Sequence, residues 1–169
     1  MRLVKKAGED MCWIRTECFP AVVSGTGHGR DVLLGIGGNI GDVSRRFGHL
    51  CHFLKSLRAV SVVETSPILL NPPFGFLEQP SFLNALIHIR TGLDPVRLLK
   101  LLLRIEKRFG RKRSFANAPR TLDIDIIFYS DIRVDLPYLK IPHPAWSERE
   151  SVLMPMRFMK GLPWSKRHS

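Results

Sequence analysis

The chain has 169 residues, the length of one domain. With 44% hydrophobic and 9% aromatic residues it can bury a core, which excludes a disordered chain and makes a disulfide staple unnecessary. Against that ordinary background stand 26 Lys and Arg but only 15 Asp and Glu, a net charge of +11 that calls for a polyanionic partner: nucleic acid, an anionic membrane or a phosphate-bearing small molecule.

Residues 1–30 show no sustained periodicity and end in Ser24-Gly25-Thr26-Gly27-His28-Gly29. They read as a loosely ordered extension of unknown role. Met1-Arg2-Leu3-Val4-Lys5-Lys6 could open a signal peptide, but Glu9, Asp10, Arg15 and Glu17 interrupt any apolar segment. No run approaches the ~18 apolar residues of a membrane span. Cys12, Cys18 and Cys51 lack C-x-x-C spacing and are odd in number, as expected of reduced thiols. These features read as a soluble, cytoplasmic protein without a membrane partner.

Strong patterns start at Asp31. Val32 to Ile36 is a short apolar run typical of a buried strand, and it breaks on Gly37-Gly38-Asn39-Ile40-Gly41. Asp42 then stands at an N-cap, and Val43, Phe47, Leu50, Leu54 and Leu57 recur as one helix face. His49 and His52 lie on this helix with no third metal ligand nearby. Val60 to Ser66 is β-branched and predicts a strand. Pro67 to Pro80, with four prolines, predicts a long functional loop. Phe82 to Ile89 alternates as a strand with Phe82, Asn84, Leu86 and His88 on one face.

Asp94-Pro95 predicts the start of a second helix, striped by Leu98, Leu102, Ile105 and Phe109 and stopped at Gly110. Thr121 to Phe128 predicts the next strand. A hairpin through Asp131-Ile132-Arg133 leads to Pro142-His143-Pro144 and a terminal helix containing Glu148 to Leu153. The order β-α-β-β-α-β predicts an α+β, ferredoxin-like fold. Its antiparallel four-stranded sheet would carry helices on one face, leave the other free for a ligand, and end in a hairpin and helix addition. Residues 31–156 form this domain, and 157–169, with four basic residues and no acid, read as a solvated basic tail.

Three features carry chemistry. The Gly35–Asp42 loop lacks the third glycine of a dinucleotide fingerprint and the Gly-Lys-Ser/Thr of a P-loop, yet it lets backbone approach a ligand. Asp123 and Asp125 share one strand face with Cα atoms about 6.6 Å apart, so both can ionise comfortably only beside a cation. An oxygen-only donor set suits Mg²⁺ held jointly with substrate phosphates. Finally, residues 104–120 hold seven basic residues against Glu106 alone, mostly arginines suited to bidentate phosphate contacts. Carboxylates beside arginines are the layout of metal-assisted phosphoryl transfer.

Taken together, several motifs resemble the 6-hydroxymethyl-7,8-dihydropterin pyrophosphokinase family of folate biosynthesis. They are Gly35–Asp42, Asn71-Pro72-Pro73-Phe74-Gly75, Gln79–Ala85, Gly110-Arg111-Lys112-Arg113, Pro119-Arg120-Thr121-Leu122-Asp123-Ile124-Asp125-Ile126, and Ile141-Pro142-His143-Pro144 with Arg149. The resemblance spans about residues 31–156. It implies that Asp123 and Asp125 bind two Mg²⁺ ions on ATP. It also implies that Arg111, Arg113, Arg120, His143 and Arg149 grip the triphosphate, with Glu106 near the nucleotide and Arg111 and Arg120 acting in catalysis. Asn71, Pro73, Phe74, Phe82 and Asn84 would form the pterin pocket of a monomeric enzyme that transfers diphosphate and releases AMP.

Two positions depart from that family's pattern. Ser151 stands where a second pterin-stacking aromatic is usual, which leaves Trp146, another ring, or one-sided stacking. The stretch Ser114-Phe115-Ala116-Asn117-Ala118 lacks an arginine–tryptophan pair that some members carry, so closure over ATP would differ in detail. The rival class, an RNA-binding module on a similar sheet, would need a Lys/Arg-Gly-aromatic strand motif, and no strand has it. The intact carboxylate pair also speaks against a degenerate homologue that only binds its ligands.

Overall fold

The computed structural model describes residues 3–23, 25, 27–73, 75–112 and 115–164. Its strands are β1 (Leu3–Lys6), β2 (Cys12–Arg15), β3 (Ala21–Val22), β4 (Arg30–Gly38), β5 (Val60–Thr65), β6 (Ile68–Asn71), β7 (Phe82–Thr91), β8 (Asp123–Tyr129), β9 (Val134–Leu136) and β10 (Leu139–Ile141). Helix α1 (Val43–Ser56) follows β4, α2 (Pro95–Arg108) follows β7, and a short turn at Trp146–Glu148 leads into α3 (Glu150–Met156). None of these helices is long and apolar enough to cross a membrane.

Local chemistry sets the helix ends. The Asp42 carboxylate accepts the Arg45 N–H at 3.2 Å to start α1, and Asp94 accepts the Arg97 N–H at 2.9 Å to start α2, with Pro95 in its first turn. Past α2, Gly110 takes a φ of +87°, a left-handed conformation that glycine adopts without strain.

The main sheet runs β1-β2-β6-β7-β4-β8, with β5 on the same edge of β7 as β6 and β3 on β5, and every pairing is antiparallel. The protein is therefore α+β. Strand β7 is long enough to take two partners, β6 along Phe82–Asn84 and β5 along Ile87–Thr91. Ser66 bridges the break: its N–H donates to the Leu86 carbonyl at 3.0 Å, and its hydroxyl accepts the Leu86 N–H at 2.8 Å.

Alternation sorts the side chains. Val32, Leu34, Ile36, Ile87, Ile89, Ile124 and Ile126 face α1 and α2, meeting Phe47, Leu50, Leu54, Leu98, Leu102 and Ile105 in the principal core. On the opposite face Leu33, Leu86, Ile127 and Phe128 form a second, smaller core with Val152, Met159, Leu162 and Trp164.

Four expectations change. Residues 1–30 are not loose where described: β1 and β2 extend the sheet, and Ile14 and Phe19 are fully buried. Ile68–Asn71, expected to be loop, is a strand, because an apolar run between prolines finds partners on both sides. The segment after Arg157 is anchored rather than a solvated tail where described: Met159, Leu162 and Trp164 are 4, 3 and 6% exposed while the residues between them stay exposed, and the Trp164 indole donates to the Ser130 carbonyl. As a result the second sheet face is only half open. The hairpin of the C-terminal addition turns at residues 137–138, between β9 and β10, rather than at Asp131–Arg133.

Candidate active site

The uncovered half of the second face is a cavity of about 680 Å³. Gly35 and Gly37 of β4, Phe82 and Asn84 of β7, and Asp123 and Asp125 of β8 all line it, because registers Gly37↔Asn84, Gly37↔Asp123 and Gly35↔Asp125 put them on one face. The glycines keep it open: a Cβ on Gly37 would lie 2.7 Å from Asn84 Oδ1, and one on Gly35 would press the Ile127 side chain at 3.1 Å.

Asp123 organises the basic side. Its Oδ1 accepts from Arg111 at 2.5 Å and its Oδ2 from Arg120 at 2.7 Å. Arg111 also pairs with Glu106 at 2.9 Å, and the other Glu106 oxygen accepts the Ile124 N–H at 2.7 Å. Burial raises the Glu106 carboxyl pKa above its ordinary value, against the pull of that N–H and of Arg111. These contacts make a brace running from α2 through the arginine to the carboxylate. Arg120 also lies 5.6 Å above the Phe82 ring, so one guanidinium touches both the acidic end and the aromatic end of the cavity.

The Asp125 side chain is 40% exposed, against 18% for Asp123. Desolvation, then the charge of Asp123, pushes the Asp125 carboxyl up to about 7, with Arg149 opposing. His143 Nε2 lies 4.0 Å from Asp125 Oδ2, and its Nδ1 accepts the Ala145 N–H at 3.1 Å. Burial and then Arg149 lower the His143 pKa, favouring a neutral ring with its proton on Nε2.

At the other end, the Asn84 amide donates to Asn71 Oδ1 at 2.6 Å, fixing two amides beside the Phe82 ring. Asn39 ties the loops together. Its Nδ2 donates to Gln79 Oε1 and the Pro80 carbonyl, both at 2.9 Å, and its Oδ1 accepts the Arg120 N–H at 2.9 Å. Further out, Phe76 and Phe115 meet edge to face at 5.5 Å, and Gln79 donates to the Asn117 carbonyl at 2.9 Å.

Of the residues singled out from sequence, Asn71, Phe82, Asn84, Arg120, Asp123, Asp125 and Arg149 line this one cavity. Arg111 and His143 sit directly behind it, on Asp123 and Asp125. Glu106, expected beside the nucleotide, is 3% exposed with both oxygens engaged, so it braces Arg111 from the core. Pro73 is not among the lining residues, its neighbour Pro72 being there instead. Phe74 and Arg113 lie outside the described residues.

Trp146 does not replace the ring missing at Ser151: it packs on Phe128 at 4.9 Å, while Ser151 itself lines the cavity. Sequence reasoning missed Asn39, Asn117 and Met11. Asn39 was visible only as the polar residue of a glycine loop, and Met11 carried no local signal.

The residues present fit divalent cations. Two carboxylates offer oxygen donors on one face, and the pKa of Asp125 is raised by desolvation and then by the nearby Asp123 charge, a situation a cation relieves. Among the described residues no group of three His, Cys, Asp or Glu side chains is gathered there.

Residues 33–160 match the family model described as 7,8-dihydro-6-hydroxymethylpterin-pyrophosphokinase. A Helicobacter pylori 2-amino-4-hydroxy-6-hydroxymethyldihydropteridine pyrophosphokinase is 42% identical over 133 residues, covering 78% of this chain and 82% of the relative. A Campylobacter jejuni protein of the same name is 41% identical over 124 residues, 73% of this chain and 79% of that one. The Schizosaccharomyces pombe folic acid synthesis protein fol1 is 35% identical over 123 residues, 73% of this chain and 17% of that longer protein.

Proposed function

The chain belongs to the 7,8-dihydro-6-hydroxymethylpterin-pyrophosphokinase family and is a diphosphotransferase of folate synthesis, and on that premise we propose how its cavity performs the reaction. The substrates are ATP and 6-hydroxymethyl-7,8-dihydropterin. The observation that carries the reading is the convergence, in one cavity, of a carboxylate pair, cationic side chains and an aromatic–amide corner.

Phe82 stacks on the flat pterin, while Asn71 and Asn84 present amide donors and acceptors to its edge. Arg120 and Arg149 grip the polyphosphate from the cavity wall, and Arg111 and His143 support the carboxylates from behind. Asp123 and Asp125 would hold two Mg²⁺ ions, which when bound neutralise phosphate charge and polarise the phosphorus under attack. The hydroxymethyl oxygen attacks the β-phosphorus, the bond from that phosphorus to the α-phosphate bridge breaks, AMP leaves with the electron pair, and the hydroxyl proton passes to solvent. Positioning and charge stabilisation supply the rate, because the reactants carry the covalent chemistry themselves.

The sheet order β5-β7-β4-β8, with a helix after β4 and another after β7, supports a ferredoxin-like core carrying an extra N-terminal edge. Methylene analogues of ATP test the cleavage site. With Mg²⁺ and the pterin, β,γ-methylene-ATP is expected to yield AMP, because the bond that breaks is intact chemistry. The α,β-methylene analogue should bind and stay inert. Turnover of the α,β analogue would overturn the reading.

A further inference from the structure

Resting on the pterin reading of the cavity, we infer that Met11 of the N-terminal hairpin is a specificity-determining wall of the pterin pocket, standing in for the ring absent at Ser151. Strand β2 pairs with β6 as Cys12↔Leu70, Trp13↔Leu69 and Ile14↔Ile68. Carried one residue further, that register sets Met11 opposite Asn71, which itself pairs with Phe82. Alternation then puts Met11, Asn71 and Phe82 on the same face. Met11 accordingly lines the cavity together with Asn71, Phe82, Asn84 and Ser151.

The hairpin holds Met11 there. Its carbonyl accepts the N–H groups of Ala7 and Gly8 at 2.9 and 3.3 Å. A Cβ on Gly8 would stand 3.0 Å from the Met11 methyl carbon, so the glycine leaves room for the side chain. Two residues on, Trp13 packs edge to face on Phe158 at 4.7 Å, and Ile14 is fully buried, which fastens β2 to the sheet.

The chemistry suits the place. Among the described residues Phe82 is the only aromatic lining the cavity and the only one there that can stack on a flat heteroaromatic ring. Serine is too short to cover the second side. A methionine thioether is polarisable and adaptable, and a sulfur–ring contact contributes about 0.3–1.5 kcal/mol. Residues 1–32 fall outside the segment that matches the family model, so this wall comes from a part of the chain that the match does not cover.

The test titrates 6-hydroxymethyl-7,8-dihydropterin into full-length protein with Mg²⁺ and α,β-methylene-ATP, and titrates that nucleotide separately. Met11→Ala should weaken pterin binding and raise the pterin KM by up to about tenfold, with kcat and nucleotide affinity unchanged. Met11→Leu, which keeps apolar bulk, should recover most of the loss. Unchanged pterin affinity in Met11→Ala overturns the role of Met11 alone, and so does an equal loss of nucleotide affinity. Wild-type protein that binds the nucleotide but not the pterin overturns the functional reading, and this inference with it.

Discussion

Asn39 and Arg120 are joined through both backbone and side chain: the Asn39 N–H donates to the Arg120 carbonyl at 3.0 Å, and Asn39 Oδ1 accepts the Arg120 N–H at 2.9 Å. The same amide reaches Gln79 and Pro80, so one buried side chain holds together the glycine loop, the proline-rich loop and the arginine that spans the cavity. Asn39→Ala leaves those partners unsatisfied. We expect a loss of about 2 kcal/mol, read as a melting temperature lower by about 4–8 °C, with a reduced kcat. A melting temperature at the wild-type value would show that the loops hold themselves.

The two aspartates, alike in sequence, should respond oppositely to neutralisation. Asp123 is paired with two arginines, whereas the Asp125 pKa is raised to about 7 by desolvation and the nearby Asp123 charge. A folded carboxyl that keeps its proton up to about 7, against 3.8 in the unfolded chain, adds stability below pH 4 that is lost as pH rises to 7. Asp125→Asn never ionises. With chelator present it should therefore melt above wild type at pH 8, with the gap closing toward pH 4. Asp123→Asn should melt below wild type at both pH 6 and pH 8, having deprived Arg120 of its carboxylate and left Arg111 with Glu106 alone. Parallel behaviour of the two variants across pH would contradict the pairing described.

His88 gives the acid side of the stability curve. It is fully buried, its Nε2 lies 2.8 Å from Asp31, and no partner reaches its Nδ1 among the described residues. Burial lowers its pKa below 6.5, outweighing the pull of Asp31. The unfolded chain therefore takes a proton near 6.5 that the folded state refuses, and stability falls as pH drops below that value. His88→Gln keeps a donor toward Asp31 but does not titrate, so its melting temperature should fall less between pH 7 and 5.5 than that of the wild type.

Trp164 seals the closed half of the ligand face, stacked on Phe128 at 5.4 Å and hydrogen-bonded to Ser130. Trp164→Ala should cost about 3–5 kcal/mol and lower the melting temperature by about 10 °C. A change within about 2 °C would return the C-terminal segment to the status of a dispensable tail.

What could be read from sequence was what is local. Asp94, Pro95 and Gly110 bound a helix by their own chemistry, and the two-residue spacing of Asp123 and Asp125 fixes their common face. Contacts between distant segments left no such trace. Ile68–Leu70 looks like loop between prolines until β2 and β7 flank it. Met159, Leu162 and Trp164 are spaced irregularly, and their burial depends on Leu33, Leu86 and Phe128, more than 30 residues away in the chain. Met11 enters the cavity only because β2 pairs with β6, and Glu106 turns from a ligand-facing acid into a brace because Ile124 and Arg111 take its oxygens.

The central claim is that diphosphate moves as a unit, through a site that needs the Asp123–Asp125 pair. Its most direct test follows the phosphorus products of ATP by NMR, with Mg²⁺ and 6-hydroxymethyl-7,8-dihydropterin, in wild type and in Asp125→Asn. Wild type should form AMP and pterin diphosphate in equal amounts, without ADP, and folded Asp125→Asn should form neither. Formation of ADP by the wild type, or wild-type AMP release by Asp125→Asn, would contradict it.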